Sequence, residues 1–336
     1  MGKTSGLERL NGEAHLLRRA DSWCEGTIPK LTLRPPVAWS RISPTVATET
    51  EMTTLPQDIV DAFPEFSVDA RPLGAGTFKV AHRIEVGGEK HVLKVVLQPI
   101  DDPDAALPER LRREIEAMSR IDSPRVVRIV QGPEIREIGG DHHVCYQEPF
   151  FPGGTLDARL PGPLSPANTL RMTRGLLEGV NALWGEQGLV HRDIKPANIA
   201  FDDNDEPVLL DLGIAYHAGV TPLTEPFGQS PRTPAYAAPE QFEVRRMAQI
   251  DFRTDLFLVG VVCLEALTGR HPYDPFGDPH GYMKRLFDGT FNRAPLDAVD
   301  NEAALKASLT RMIRPYPNQR FRSVQQALTS LPEVSQ

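Results

Sequence analysis

The chain has 336 residues, a formal net charge of −8 and 40% hydrophobic residues. That length holds one large domain or two lobes with enough apolar material for a substantial core. The acidic balance argues against a nucleic-acid binder, which usually carries a basic patch. The densest basic run, Arg110-Leu111-Arg112-Arg113, is interleaved with Glu109, Glu114 and Glu116 and reads as a solvated helix face. Cys24, Cys145 and Cys263 stand far apart with no CxxC pair, which argues against a disulfide framework or a zinc site. No stretch reaches the roughly 18 apolar residues of a membrane span. Charged residues recur from Lys3 to Asp21, where a signal peptide would need an apolar core, so a cytoplasmic location is expected.

Taken in chain order, residues 1–56 form an N-terminal extension. Leu7, Leu10, Leu16 and Leu17 suit one short amphipathic helix, and Pro35-Pro36 and a Thr-rich stretch follow. So little apolar surface cannot fold alone. The reading is a flexible, partly disordered tail with one docking helix; a partner-binding or autoinhibitory arm is the alternative. From Phe66 to Val86 two strands join across Gly74-Ala75-Gly76, and His91–Leu97 is a β-branched, apolar third. Leu111, Ile115 and Met118 recur at helical spacing, with Pro124 beyond. Strands over about 126–138 and 142–150 complete a five-stranded sheet with one helix. After Gly153-Gly154 the pattern turns helical: Pro166–Gln187, a nearly all-apolar Asp255–Gly269, then His280–Asp288, Asn301–Ile313 and Ser323–Leu331. A β-rich lobe (57–152) ahead of a helical lobe (153–336) puts a cleft at the join, where ligand sites tend to lie.

The chemistry concentrates in His191-Arg192-Asp193-Ile194-Lys195-Pro196-Ala197-Asn198. Phosphoryl transfer needs a carboxylate for the acceptor hydroxyl, a cation near the γ-phosphate and an oxygen ligand for a divalent metal. Asp193, Lys195 and Asn198 supply all three in one loop. Asp211-Leu212-Gly213 follows an apolar strand, offering a second metal ligand and a sharp turn.

With these motifs and their spacing the sequence resembles the eukaryotic-type (Hanks-type) Ser/Thr protein kinase family over residues 66–332. The resemblance implies an α+β bilobal fold, an antiparallel five-stranded small lobe plus one helix, and a larger, mainly helical lobe. It implies ATP with Mg²⁺ (or Mn²⁺) as cofactors, protein Ser/Thr hydroxyls as acceptors and autophosphorylation as a further activity. A pseudokinase scaffold is the first alternative, but such proteins usually lack one of the residues matched by Lys94, Asp193 and Asp211. A small-molecule kinase is the second; Lys195, Thr233 and Ala238-Pro239-Glu240 match peptide-substrate kinases instead.

Further roles are carried over residue by residue. Leu73-Gly74-Ala75-Gly76-Thr77-Phe78 resembles the Gly-rich loop over the phosphates, with Lys79 in place of the third glycine. Lys79 is expected to point to water; the alternative is a cation near the phosphates. Lys94 matches the strand lysine that pairs with the α/β-phosphates, with Lys90 as its competitor. Glu114 matches the helix glutamate that pairs with it, with Glu116 the fallback, turned by about 200° on the helix. Val92 is kept as an adenine wall, whereas Ala81 and Ala200 replace larger residues and widen the pocket. The adenine-bonding hinge is expected within Gln147–Phe151, with Glu148 among its residues and one residue inserted before Gly153. Arg192 suggests control by a phosphorylated activation segment, with Ser230 and Thr224 as candidates and Thr221 behind them. Thr233 is expected near Asp193 and Lys195. Gly213, Asp255 and a Glu240–Arg320 pair are expected to be structural. Thr155 and Ala197 stand where arginine-directed kinases carry acidic residues, against a strongly basophilic preference.

Overall fold

Two Gly-Gly pairs shape the first half of the chain. In the computed structural model, residues 55–75, 79–101, 107, 109–160, 162–212, 235–242, 250–275 and 277–333 are described. Gly87, Gly88, Gly139 and Gly140 have φ of 59°, 89°, 62° and 94°, a backbone that only glycine takes without strain. Two such residues in succession close a tight hairpin whose twist suits the flanking strands. They join β3 (Lys79–Val86) to β4 (Glu89–Val96) and β5 (Gln131–Ile138) to β6 (Asp141–Pro149). β1 (Ser67–Val68) and β2 (Gly74–Ala75) both pair with β3, and the antiparallel sheet runs β1-β3-β4-β6-β5. The predicted first strand is therefore two short pieces on one neighbour, separated by a stretch holding Pro72, which has no N–H for a ladder.

Period-two alternation divides the sheet into two faces. Val80, Ile84, Leu93, Val95 and Cys145 pack with Ile59 and Phe63 in one cluster. Ile59 belongs to α1 (Leu55–Ala62), a helix absent from the sequence reading, and Phe63 directly follows it. On the other face Val144 packs with Ile115 of α2 (Glu109–Arg120), and Val96 and Ile135 join them. Lys94, between Leu93 and Val95, falls on the α2 side. Ile59 is fully buried, so Ile59→Val should lower stability in urea unfolding by about 0.5–1.5 kcal/mol. No measurable loss would show that α1 does not pack on the sheet.

The strand predicted from residue 126 begins only at Gln131. Val126 and Val127 instead join the large core of the second lobe, and Val127 N–H donates to Leu209 O at 2.9 Å. That lobe is built on α4 (Pro166–Gln187), capped by Ser165 and closed by left-handed Gly188, and on α6 (Phe252–Thr268), capped by Asp251 and closed by Gly269. A Cβ on Gly260 would come within 2.8 Å of Met312 and Ile313 side-chain atoms; glycine there lets α6 lie close against α9 (Ala303–Met312). Between α4 and α6 come the hairpin β7 (Ile199–Phe201) and β8 (Pro207–Leu209) and the short α5 (Pro239–Phe242), with α3 (Leu156–Arg159) ahead of α4. After α6 follow α7 (Pro279–Asp288), α8 (Ala294–Asp297), α9 and α10 (Val324–Ser330).

The expected helix of Leu7–Leu17 and the docking role of the N-terminal segment fall outside the described residues. So do Gly76, Thr77, Phe78, Gly213, Thr221, Thr224, Ser230 and Thr233, and the side chain of Glu114. No helix among the described residues is long and apolar enough to cross a membrane.

Candidate active site

The loop after α4 is held from beneath by one buried carboxylate. Asp255, in the first turn of α6 and fully buried, accepts the N–H of His191 on Oδ2 and that of Arg192 on Oδ1, each at 2.8 Å. Burial pushes its carboxyl above the ordinary range, and His191 with these N–H groups opposes that. His191 Nε2 lies 2.9 Å from Leu210 O, so Nε2 carries the proton and Nδ1 accepts Asp193 N–H at 3.3 Å. Arg192 takes φ 67°, a left-handed backbone that a side chain disfavours. Gln241 Nε2 braces it by donating to Arg192 O at 2.9 Å, a role no sequence signal marks.

This scaffold fixes Asp193. Its Oδ2 accepts Lys195 Nζ at 2.8 Å and Asn198 Nδ2 at 3.0 Å, and Asn198 Nδ2 also reaches Asp193 O at 2.9 Å. Asn198 belongs to a 3₁₀ turn, Pro196–Asn198, whose proline suits the first position of a turn lacking an N–H partner. Because the Asn198 amide directs its NH₂ at Asp193, its oxygen is left as a hard donor. Leu210 N–H donates to Asn198 O at 2.9 Å, tying this turn to the end of β8 and hence to Asp211.

Asp211, at φ 49°, meets the other lobe. Its Oδ1 accepts Lys94 Nζ at 2.7 Å, joining residues 117 apart in sequence. Burial works against its charge, but Lys94 and then Lys79 outweigh that and hold its carboxyl below the ordinary range. For Lys94, too, burial opposes the charge, yet Glu148 and Asp211 keep the ammonium above the usual lysine range. Asp211 and the Asn198 amide oxygen are the oxygen donors that a hard divalent cation takes, so the residues fit such an ion. Among the described residues no group of three or more His, Cys, Asp or Glu forms a further metal cluster.

Two expectations are corrected here. Lys79 does not point to water: it is half-buried, and its Nζ donates to Tyr146 OH at 3.0 Å. Glu148 does not lie in the segment crossing between lobes. It sits within β6 opposite Val92, 2% exposed, with Oε2 3.7 Å from Lys94 Nζ. β6 runs on to Pro149, so the crossing stretch starts at Phe150. The candidate base walls lie around Lys94. Ala81 pairs with Lys94 and with Gly74, Val92 pairs with Glu148, and Ala200 is buried in β7. Leu73 is exposed at the lip, its N–H donating to Ala81 O at 2.8 Å, and Gly74 and Ala75 are exposed beyond it.

Below the site Arg320 and Glu240, both wholly buried, form a bidentate pair at 2.6 and 2.9 Å. Thr254 Oγ1 donates to Glu240 at 2.8 Å, and Arg320 also donates to the carbonyls of Arg314, Arg253 and Pro315.

Comparisons with known proteins agree with this geometry. The protein kinase domain family model matches residues 68–330. The Myxococcus xanthus serine/threonine-protein kinase pkn2 is 34% identical over 212 residues, covering 61% of this chain and 24% of that protein. The mouse hormonally up-regulated neu tumor-associated kinase is 29% identical over 271 residues, 79% of this chain and 36% of that protein. The Mycobacterium tuberculosis serine/threonine-protein kinase PknL is 31% identical over 211 residues, 62% of this chain and 50% of that protein. The chain thus spans half or less of these relatives. With the domain match covering most of its residues, the chain belongs to the eukaryotic-type Ser/Thr protein kinase family.

Proposed function

We propose that the chain transfers the γ-phosphoryl group of ATP to Ser/Thr hydroxyls of proteins, with Mg²⁺ as the working metal. The observation that carries this is the Lys94–Asp211 contact across the lobes, joined by Leu210 and Asn198 to Asp193 and Lys195. Lys94 binds the α/β-phosphates, and Glu114 on α2 is assigned as its partner. Asn198 and Asp211 hold the metal, which when bound neutralises phosphate charge. Asp193 orients the acceptor hydroxyl and takes its proton as the new P–O bond forms and the bond from the γ-phosphorus to the β,γ-bridging oxygen breaks, ADP leaving with that oxygen. Lys195 offsets the charge developing on the transferred group. Positioning and electrostatics supply most of such catalysis. Transfer of label from γ-labelled ATP to a Ser/Thr peptide library by the purified chain tests the reading; its absence overturns it.

Autophosphorylation of the segment between Gly213 and Pro239 belongs to the same proposal, since Arg192 can grip a phosphate bidentately. Ser230 and Thr224 are the expected sites. Mass spectrometry of active enzyme should find phosphate there, and an unmodified segment in fully active protein would remove this part.

A further inference from the structure

A carboxylate buried on the same strand face as Lys94 needs an explanation. Directly paired residues in an antiparallel ladder share a face, and that face recurs every second residue. Lys94 pairs with Tyr146, and Val92 pairs with Glu148. Lys94 and Glu148 therefore emerge side by side from neighbouring strands. Glu148 is 2% exposed and Lys94 6%, and their Oε2 and Nζ atoms lie 3.7 Å apart. A carboxyl group removed from water to this extent is neutralised or paired, and Lys94 is a cation within ion-pair reach of it.

Among the described residues Lys94 also meets Asp211, a candidate metal ligand. A carboxylate engaged by a divalent cation has less to offer an ammonium. Glu114 stands on α2, a separate element placed against the sheet by side-chain packing rather than by strand pairing. Glu148 is in the ladder itself, so its place relative to Lys94 is set by register. We propose that Glu148 is a positioning residue for the phosphotransfer reaction: it holds the Lys94 ammonium in the cleft from the sheet side, so that Asp211 would remain available as a metal ligand. The inference rests on the function proposed above and assigns Glu148 a role distinct from bonding the base.

The test measures kcat and KM for ATP and for a Ser/Thr peptide in wild type, Glu148→Gln and Glu148→Met. Both variants should lose about 10- to 100-fold in kcat/KM for ATP, the scale of a misplaced catalytic group, while KM for the peptide stays within about twofold of wild type. Glu148→Met removes the buried charge with an apolar side chain of similar length and should keep the fold. Lys94→Met/Glu148→Met deletes both charges of this pair, so Glu148 is not left as a buried carboxylate without its ammonium; Asp211 loses Lys94 in both Lys94→Met backgrounds alike. Adding Glu148→Met to Lys94→Met should change the residual rate by less than about threefold, because the group acted upon is already gone. Folded Glu148 variants with wild-type kcat and KM for ATP would overturn the proposal. So would multiplicative losses in the double variant. If wild type itself transfers no phosphate, the underlying reading fails and Glu148 falls with it; an active wild type with unaffected variants rejects Glu148 alone.

Discussion

Asp193→Asn should lower the phosphotransfer rate at least about 100-fold, the low end for a positioned base, with the melting temperature nearly unchanged. The reason is local. Asp193 Oδ2 is shared by Lys195 Nζ and Asn198 Nδ2, and an asparagine of the same shape keeps that place but cannot take the acceptor proton. The side chain is about one-third exposed, so little packing depends on it. Lys94→Met should cause a similar loss of rate, with some loss of stability as well, because Glu148 would keep its buried carboxylate without the ammonium beside it. Initial rates at saturating ATP, beside thermal melts, check both. Near-normal turnover by either variant would refute the assignment.

Arg320→Met should destabilise the chain by about 3–5 kcal/mol, the effect of leaving one partner of a buried ion pair uncompensated. Glu240 would keep Thr254 but lose both guanidinium bonds, and the carbonyls of Arg314, Arg253 and Pro315 would lose their donor. Glu240→Met/Arg320→Met should be less damaging than Arg320→Met, because it strands no charge. Urea unfolding of the two variants measures the difference; a loss under about 1 kcal/mol for Arg320→Met, the range of an ordinary surface change, would contradict it.

Much of this architecture is legible in the residues. α4 spans the predicted Pro166–Gln187, since Ser165, Pro166 and Gly188 mark its two ends. The helix predicted from Asp255 starts three residues earlier at Phe252, where Asp251 provides the cap. Asp193, Lys195 and Asn198 share one loop, so their proximity follows from turn chemistry over a few residues. α1 is only eight residues long, and Ile59 and Phe63, four apart, are too few apolar positions to mark a helical period on their own. Gln241 was not legible either, because its value lies in reaching Arg192 O, 49 residues away.

The sequence by itself determined most element types, both ends of α4, the loop bearing Asp193, and the family, because capping, periodicity and motif spacing are local properties. Tertiary structure alone decided that Lys79 turns inward to Tyr146, that Glu148 faces Lys94 and that Lys94 meets Asp211 across the lobes. The physical reason is register. A shift of one residue in strand pairing sends every side chain to the opposite face, and pairing between distant segments is set only when the whole core packs.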